Sequence, residues 1–107
     1  MQTLADAAAL RAFLPGRRAA VLFHATWCPF CRRFQPAFAE LAGNAPGWEA
    51  AELLLDDEDD PLWEELGIDV VPTVLAWDDG RPAGRLDGQA GIGIREADLR
   101  GLLGARG

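Results

Sequence analysis

The sequence predicts an α/β fold, a mixed central β-sheet flanked by helices on both faces. Three observations carry this. The run AAVLFHA (residues 19–25) is apolar without interruption, the mark of a strand buried on both faces. A helical pattern and a second strand-like stretch follow it, which makes a βαβ unit. The turn DDG (residues 78–80) then joins two extended stretches, so a hairpin and a terminal helix complete the architecture.

Each element has a local reason. Leu4, Ala7, Ala8, Leu10, Ala12 and Phe13 read as a first helix; Thr3 with Asp6 resembles an N-cap pair, and Pro15 with Gly16 ends the segment. After the buried strand, a second helix starts near Cys28 and continues to about residue 42, with Phe34, Phe38 and Leu41 on one face. Pro36 lies inside it and predicts a kink. Gly43, Asn44, Pro46 and Gly47 form a loop. WEAAELLLD (residues 48–56) reads as a strand, although its Ala, Glu and Leu also suit a helix. The acidic run DDEDD (residues 56–60) reads as a solvated loop in which Asp59 or Asp60 caps a short helix over residues 61–66, stopped by Gly67. No calcium-loop glycine spacing follows that run. Residues 73–77 and 81–86 are the hairpin strands, and Pro82 assigns the second to a sheet edge. Leu99, Leu102 and Leu103 mark a last helix over residues 95–103.

The 107 residues suit one domain, residues 1–107. Half are hydrophobic, enough for a packed core, yet no apolar stretch reaches the ~18 residues of a membrane-spanning helix. The opening MQTLADAAALRAFLPGRR lacks a basic leader, and Asp6 interrupts its apolar part, so it does not read as a secretory signal. A cytoplasmic monomer without membrane contact is expected. The net charge of −7 argues against a binder of nucleic-acid phosphates. All ten basic residues are Arg.

The chain has two cysteines, Cys28 and Cys31, in HATWCPFC. A bridge between them would close a tiny loop and add little stability, so a structural disulfide explains them poorly. Cys28 falls where the buried strand gives way to a helix, and the free N–H groups and dipole of a helix start stabilise a thiolate. Cys31, three residues on, comes to the same face, within reach of a disulfide. Pro29 suits the first turn because its missing N–H costs nothing there. CxxC at the strand-to-helix step of a βαβ unit is a redox signature. A zinc site is the competing use. It would need three or four protein ligands, and beyond the cysteines the chain has one histidine, His24. A metal bridging two chains and a pair of inert buried cysteines are the remaining readings.

The chain resembles the thioredoxin family over nearly its whole length. The matching pieces are VLFHATWC, the pair Cys28 and Cys31, Pro36, the segment GIDVVPT, the turn DDGRP, and Gly88 in RLDG. The resemblance implies the thioredoxin fold and a dithiol–disulfide oxidoreductase with no bound cofactor. It implies protein disulfides as substrates, and a thioredoxin-reductase-like or small-thiol electron donor. It implies Cys28 as the attacking thiolate, Cys31 as the resolving thiol, and a cis peptide bond before Pro72. Trp27, Pro29, Phe30, Val71, Pro72 and Gly88 match the apolar rim that meets substrate. A redox-gated adaptor with little turnover would use the same rim.

The chain also departs from the family. Pro29 and Phe30 stand where Gly-Pro is usual, a change that bears on the redox poise. A buried Asp is usual two positions before the residue matched by His24, and here that place is Leu22; its partner Lys on the next strand falls at Leu53. His24 shares a strand face with Leu22. As a proton acceptor it would stand in for the missing acid; as an ordinary strand residue it would pack or hydrogen-bond.

Overall fold

The apolar run becomes the middle strand of the sheet. In the computed structural model, which describes residues 1–104, the elements run β1 (Gln2–Leu4), α1 (Ala7–Phe13), β2 (Arg18–His24), α2 (Pro29–Gly43), β3 (Glu49–Leu54), α3 (Leu62–Glu65), β4 (Thr73–Asp78), β5 (Arg81–Asp87) and α4 (Glu96–Gly104). The last three residues of the expected 1–107 domain lie outside the described residues. Among the described residues the strands form one sheet in the order β1-β3-β2-β4-β5. β1, β3 and β2 are parallel, and β4 and β5 are antiparallel to their neighbours. This is the expected mixed sheet.

Alternation along β2 divides the core in two. Ala19, Val21 and Phe23 pack with Leu10 and Phe13 of α1 and Leu62 of α3 on one face. Ala20 and Leu22 pack with Phe34 and Phe38 of α2 and Leu99 and Leu103 of α4 on the other. Both faces of β2 are covered, which is why its sequence shows no polar alternation. β3 is a strand despite its helix-compatible composition, because it lies between β1 and β2 and pairs with both. α2 continues through Pro36 to Gly43.

β1 is an addition to the expected order. Three residues with one buried position, Leu4, carry no readable period. Its presence corrects the Thr3–Asp6 cap pair. Asp6 alone is the N-cap of α1, its carboxylate accepting from Ala9 N–H at 2.9 Å, while Thr3 lies on β1 and donates its hydroxyl to Glu52 at 3.1 Å. The hairpin turn is as read: Asp79 and Gly80 both take positive φ, 53° and 79°, as a two-residue turn of this kind requires. β5, with Pro82, is the edge strand. Among the described residues no helix is long and apolar enough to cross a membrane.

A thiol pair at the tip of α2

β2 delivers the chain to the site and the end of β3 fixes it there. Asp56, just beyond β3, accepts from Thr26 N–H at 2.7 Å and from the Thr26 hydroxyl at 3.1 Å. Its backbone carbonyl accepts from the Trp27 indole N–H at 3.2 Å. The acidic run is thus more than a solvated loop. Asp56 pins the turn ahead of Cys28, and the Asp60 carboxylate accepts from Leu62 N–H at 2.9 Å beside Pro61, the residue at the N-cap of α3.

Cys28 is the N-cap of α2. Its backbone is extended (φ −100°, ψ 114°), Pro29 follows in the first turn, and Cys28 Sγ accepts from Cys31 N–H at 3.3 Å. Sulfur therefore occupies the place where a Ser or Asp oxygen would satisfy a free helix N–H. The Cys28 thiol also donates to the Val71 carbonyl at 3.5 Å. The Val71–Pro72 bond is cis. Cys28 and Cys31 are both free thiols, 6% and 0% exposed. Burial, and then its hydrogen bond to Cys28, push the Cys31 thiol up to about 12; a backbone hydrogen bond from Ala25 works the other way, and the charge of Asp56 adds to the rise.

His24 ends β2 in a buried position. Its Nε2 lies 2.9 Å from Glu52 Oε1 without a well-directed hydrogen bond. Burial lowers its pKa from the ordinary histidine value, against the opposing pull of Glu52 and Asp56. It shares a cavity of about 340 Å³ with Ala25, Thr26, Arg32 and Gln35. The strand register also corrects the position matched to the family's Lys. Leu22 pairs with Glu52, and Leu53 pairs with Phe23 in the opposite core. The β3 residue facing the Leu22–His24 side is Glu52, an acid. Among the described residues no three His, Cys, Asp or Glu side chains gather as metal ligands would.

The expected rim is partly rearranged. Trp27 is 54% exposed, Pro29 is exposed, Phe30 and Val71 are half-buried against the sulfurs, and Gly88 is half-buried against Pro72. Pro72 is the exception: its side chain is buried, beneath the rim rather than on it. Val70 and Ile92, both exposed, were not singled out by the sequence. Gly88 has a steric reason. Its N–H donates to the Pro72 carbonyl at 2.9 Å, and a Cβ there would sit 2.7 Å from that oxygen. Replacing Gly88 with Ala is expected to push the two segments apart and cost about 1–3 kcal/mol, measured as a lower denaturation midpoint at unchanged slope.

Comparison with known proteins supplies the relationship. The family model described as Thioredoxin matches residues 8–97. A thioredoxin H-type from Oryza sativa subsp. indica is 33% identical over 99 residues, covering 92% of this chain and 75% of its own. A thioredoxin from Alicyclobacillus acidocaldarius is 31% identical over 101 residues, covering 94% and 96%. The X-ray structure of Fasciola hepatica thioredoxin superposes with a TM-score of 0.85 at 28% identity, covering all of both chains. The family match takes in β2, the thiol-bearing helix and the hairpin as one unit, and the chain belongs to the thioredoxin family.

Proposed function

We propose that this thiol–disulfide oxidoreductase attacks protein disulfides with Cys28 and resolves the adduct with Cys31. One observation carries the division of labour: both sulfurs are largely covered, but Cys28 at the helix tip keeps 6% of its surface exposed, whereas Cys31 keeps none. The Cys28 thiolate attacks one sulfur of a substrate disulfide. A Cys28–substrate bond forms, and the other substrate sulfur leaves as a thiolate that takes a proton from solvent. Cys31, once deprotonated, attacks Cys28 Sγ. The second substrate sulfur leaves, and the Cys28–Cys31 bridge closes. Two electrons pass to the substrate and return from a reductase or a small thiol, so no bound cofactor is needed. Trp27, Pro29, Phe30, Val71 and Gly88 frame the sulfurs for an extended peptide, with Pro72 supporting them from below. The protein works among intracellular thiols, because both cysteines serve exchange and neither forms a scaffold bridge. Reduction of insulin disulfides with dithiothreitol as donor tests the reading: repeated turnover supports it, and a single stoichiometric reaction refutes it.

His24 is the proton acceptor for Cys31 in this scheme. Burial keeps its imidazole neutral near pH 7, and its cavity borders Ala25, whose backbone bonds Cys31. Replacing His24 with Phe is expected to slow resolution of the mixed disulfide about tenfold or more near pH 7, read by stopped-flow with a preformed adduct. Replacing Glu52 with Gln removes a group that raises the histidine's pKa. The acid limb of the rate profile is then expected to move to lower pH. Wild-type kinetics in His24→Phe would remove the imidazole from the mechanism.

A further inference from the structure

The segment after β5 is folded tightly against the thiol helix. Gln89 N–H donates to the Gly93 carbonyl at 2.9 Å, and Gly93 N–H returns a bond to Gln89 at 2.8 Å. Gly93 has φ +79°, and a Cβ there would lie 3.3 Å from Phe30 Cβ, so the loop and the motif's own Phe30 are in close contact. Ile92 is 44% exposed on this turn. Between the loop and α2 lies a cavity of about 300 Å³ whose walls include Phe30, Arg33, Ile92, Ile94, Arg95 and Glu96.

The charges at this cavity run against the rest of the chain. The Arg33 guanidinium lies over the Phe30 ring, 5.5 Å from its centroid. Among the described residues neither Arg33 nor Arg95 makes an ion pair, whereas Glu96 faces Arg100 at 3.7 Å. Two exposed cations therefore stand unmatched beside Phe30 in a chain of net charge −7. On the Trp27 side the order is reversed: Asp56 holds the indole, and the acidic run of residues 56–60 follows it. Near Cys28, then, the cations are Arg33 on α2 and Arg95 just ahead of α4, whose first turn carries the acids Glu96 and Asp98, while the side toward α3 is uniformly acidic.

We propose that this cavity is a specificity subsite for the flank of a disulfide-bearing polypeptide that carries an apolar side chain beside a carboxylate. The apolar group meets Phe30, Ile92 and Ile94, and the carboxylate meets Arg33 and Arg95. The proposal rests on exchange at Cys28 and adds a substrate class to it. The field of a −7 chain as a whole attracts cationic peptides, so a preference for acidic flanks has to come from local charge.

The experiment uses two peptides, each carrying a chromogenic thiol in disulfide linkage to its one cysteine. They are identical except for Leu-Glu-Glu or Leu-Lys-Lys flanks on both sides. At low ionic strength the wild-type kcat/KM is expected to favour the acidic peptide about 5- to 10-fold, and 0.5 M NaCl is expected to erase most of the difference. Arg33→Glu with Arg95→Glu should invert the ratio. Arg11→Glu with Arg81→Glu, on α1 and at the hairpin end of β5, changes net charge equally and should leave the inversion absent. A wild-type ratio at or below one, or an inversion of equal size in the control pair, overturns the subsite. Release of the chromogenic thiol reports the exchange chemistry separately, so a ratio of one with continuing release leaves that chemistry standing.

Discussion

Replacing Cys31 with Ser is expected to stop the reaction at the mixed disulfide and lower turnover on protein disulfides by about 10³-fold or more. The attacking step survives the change. Cys28 keeps its place at the helix tip, where the Cys31 backbone N–H, not its thiol, caps the sulfur. Resolution does not survive, because the chain has no third cysteine and a hydroxyl does not cleave a disulfide near neutral pH. Ser also fits the space vacated by sulfur, so the fold should persist. Non-reducing electrophoresis and intact mass should show a dithiothreitol-sensitive adduct equal to the sum of protein and substrate. Cys28→Ser should trap nothing, since Cys31 is 0% exposed and behind the cap. An adduct in Cys28→Ser but none in Cys31→Ser would reverse the two roles.

The parts legible in the sequence are those with a strong local signal. An unbroken apolar run can only be satisfied by cover on both faces, and β2 has that cover in two separate cores. Asp79 and Gly80 are residue types that tolerate positive φ, so the hairpin turn was readable from two letters. CxxC beside Trp27 located the site because a thiol cap needs a strand-to-helix step. The parts that were not legible depend on register. β1 is too short to show a period. Glu52 and Leu53 are adjacent letters, but in a strand one residue means the opposite face, and only the pairing with β2 puts Glu52 beside Leu22. Asp56 sat in a run of five similar acids. Nothing local separates the one that holds Thr26 and Trp27 from its neighbours; only the end of β3 arriving beside the turn does. The VVPT motif marks Pro72 as part of the site, but a motif says nothing about which side of the backbone a ring occupies, and here the ring is buried. Ile92 and Arg95 gain meaning only when the loop folds onto Phe30.

The reduced protein is expected to lose stability as pH rises above about 8.5, by about 1.4 kcal/mol per pH unit. In the folded chain the Cys31 thiol holds its proton to about 12, chiefly through burial, whereas an unfolded thiol releases it near 8.5. Between those limits the unfolded state has shed a proton that the folded state retains, so alkali favours unfolding. The stabilisation is complete below the unfolded value and disappears as pH climbs through the folded one. By pH 10 the loss is about 1–2 kcal/mol, a sizeable share of the 5–15 kcal/mol typical of a domain. The chain suits this measurement because it has no Tyr and no Lys. Apart from thiols, no side chain of its composition ordinarily titrates between about pH 8.5 and 11. Denaturant unfolding at pH 7, 8.5 and 10 should give a falling series for the reduced protein. The disulfide form and Cys31→Ser, which have no Cys31 proton to lose, should give nearly level ones. A reduced protein as level as Cys31→Ser would mean that Cys31 ionises as easily folded as unfolded. Its burial would then impose no proton-transfer requirement on resolution, and the reason for seeking a base at His24 would go with it.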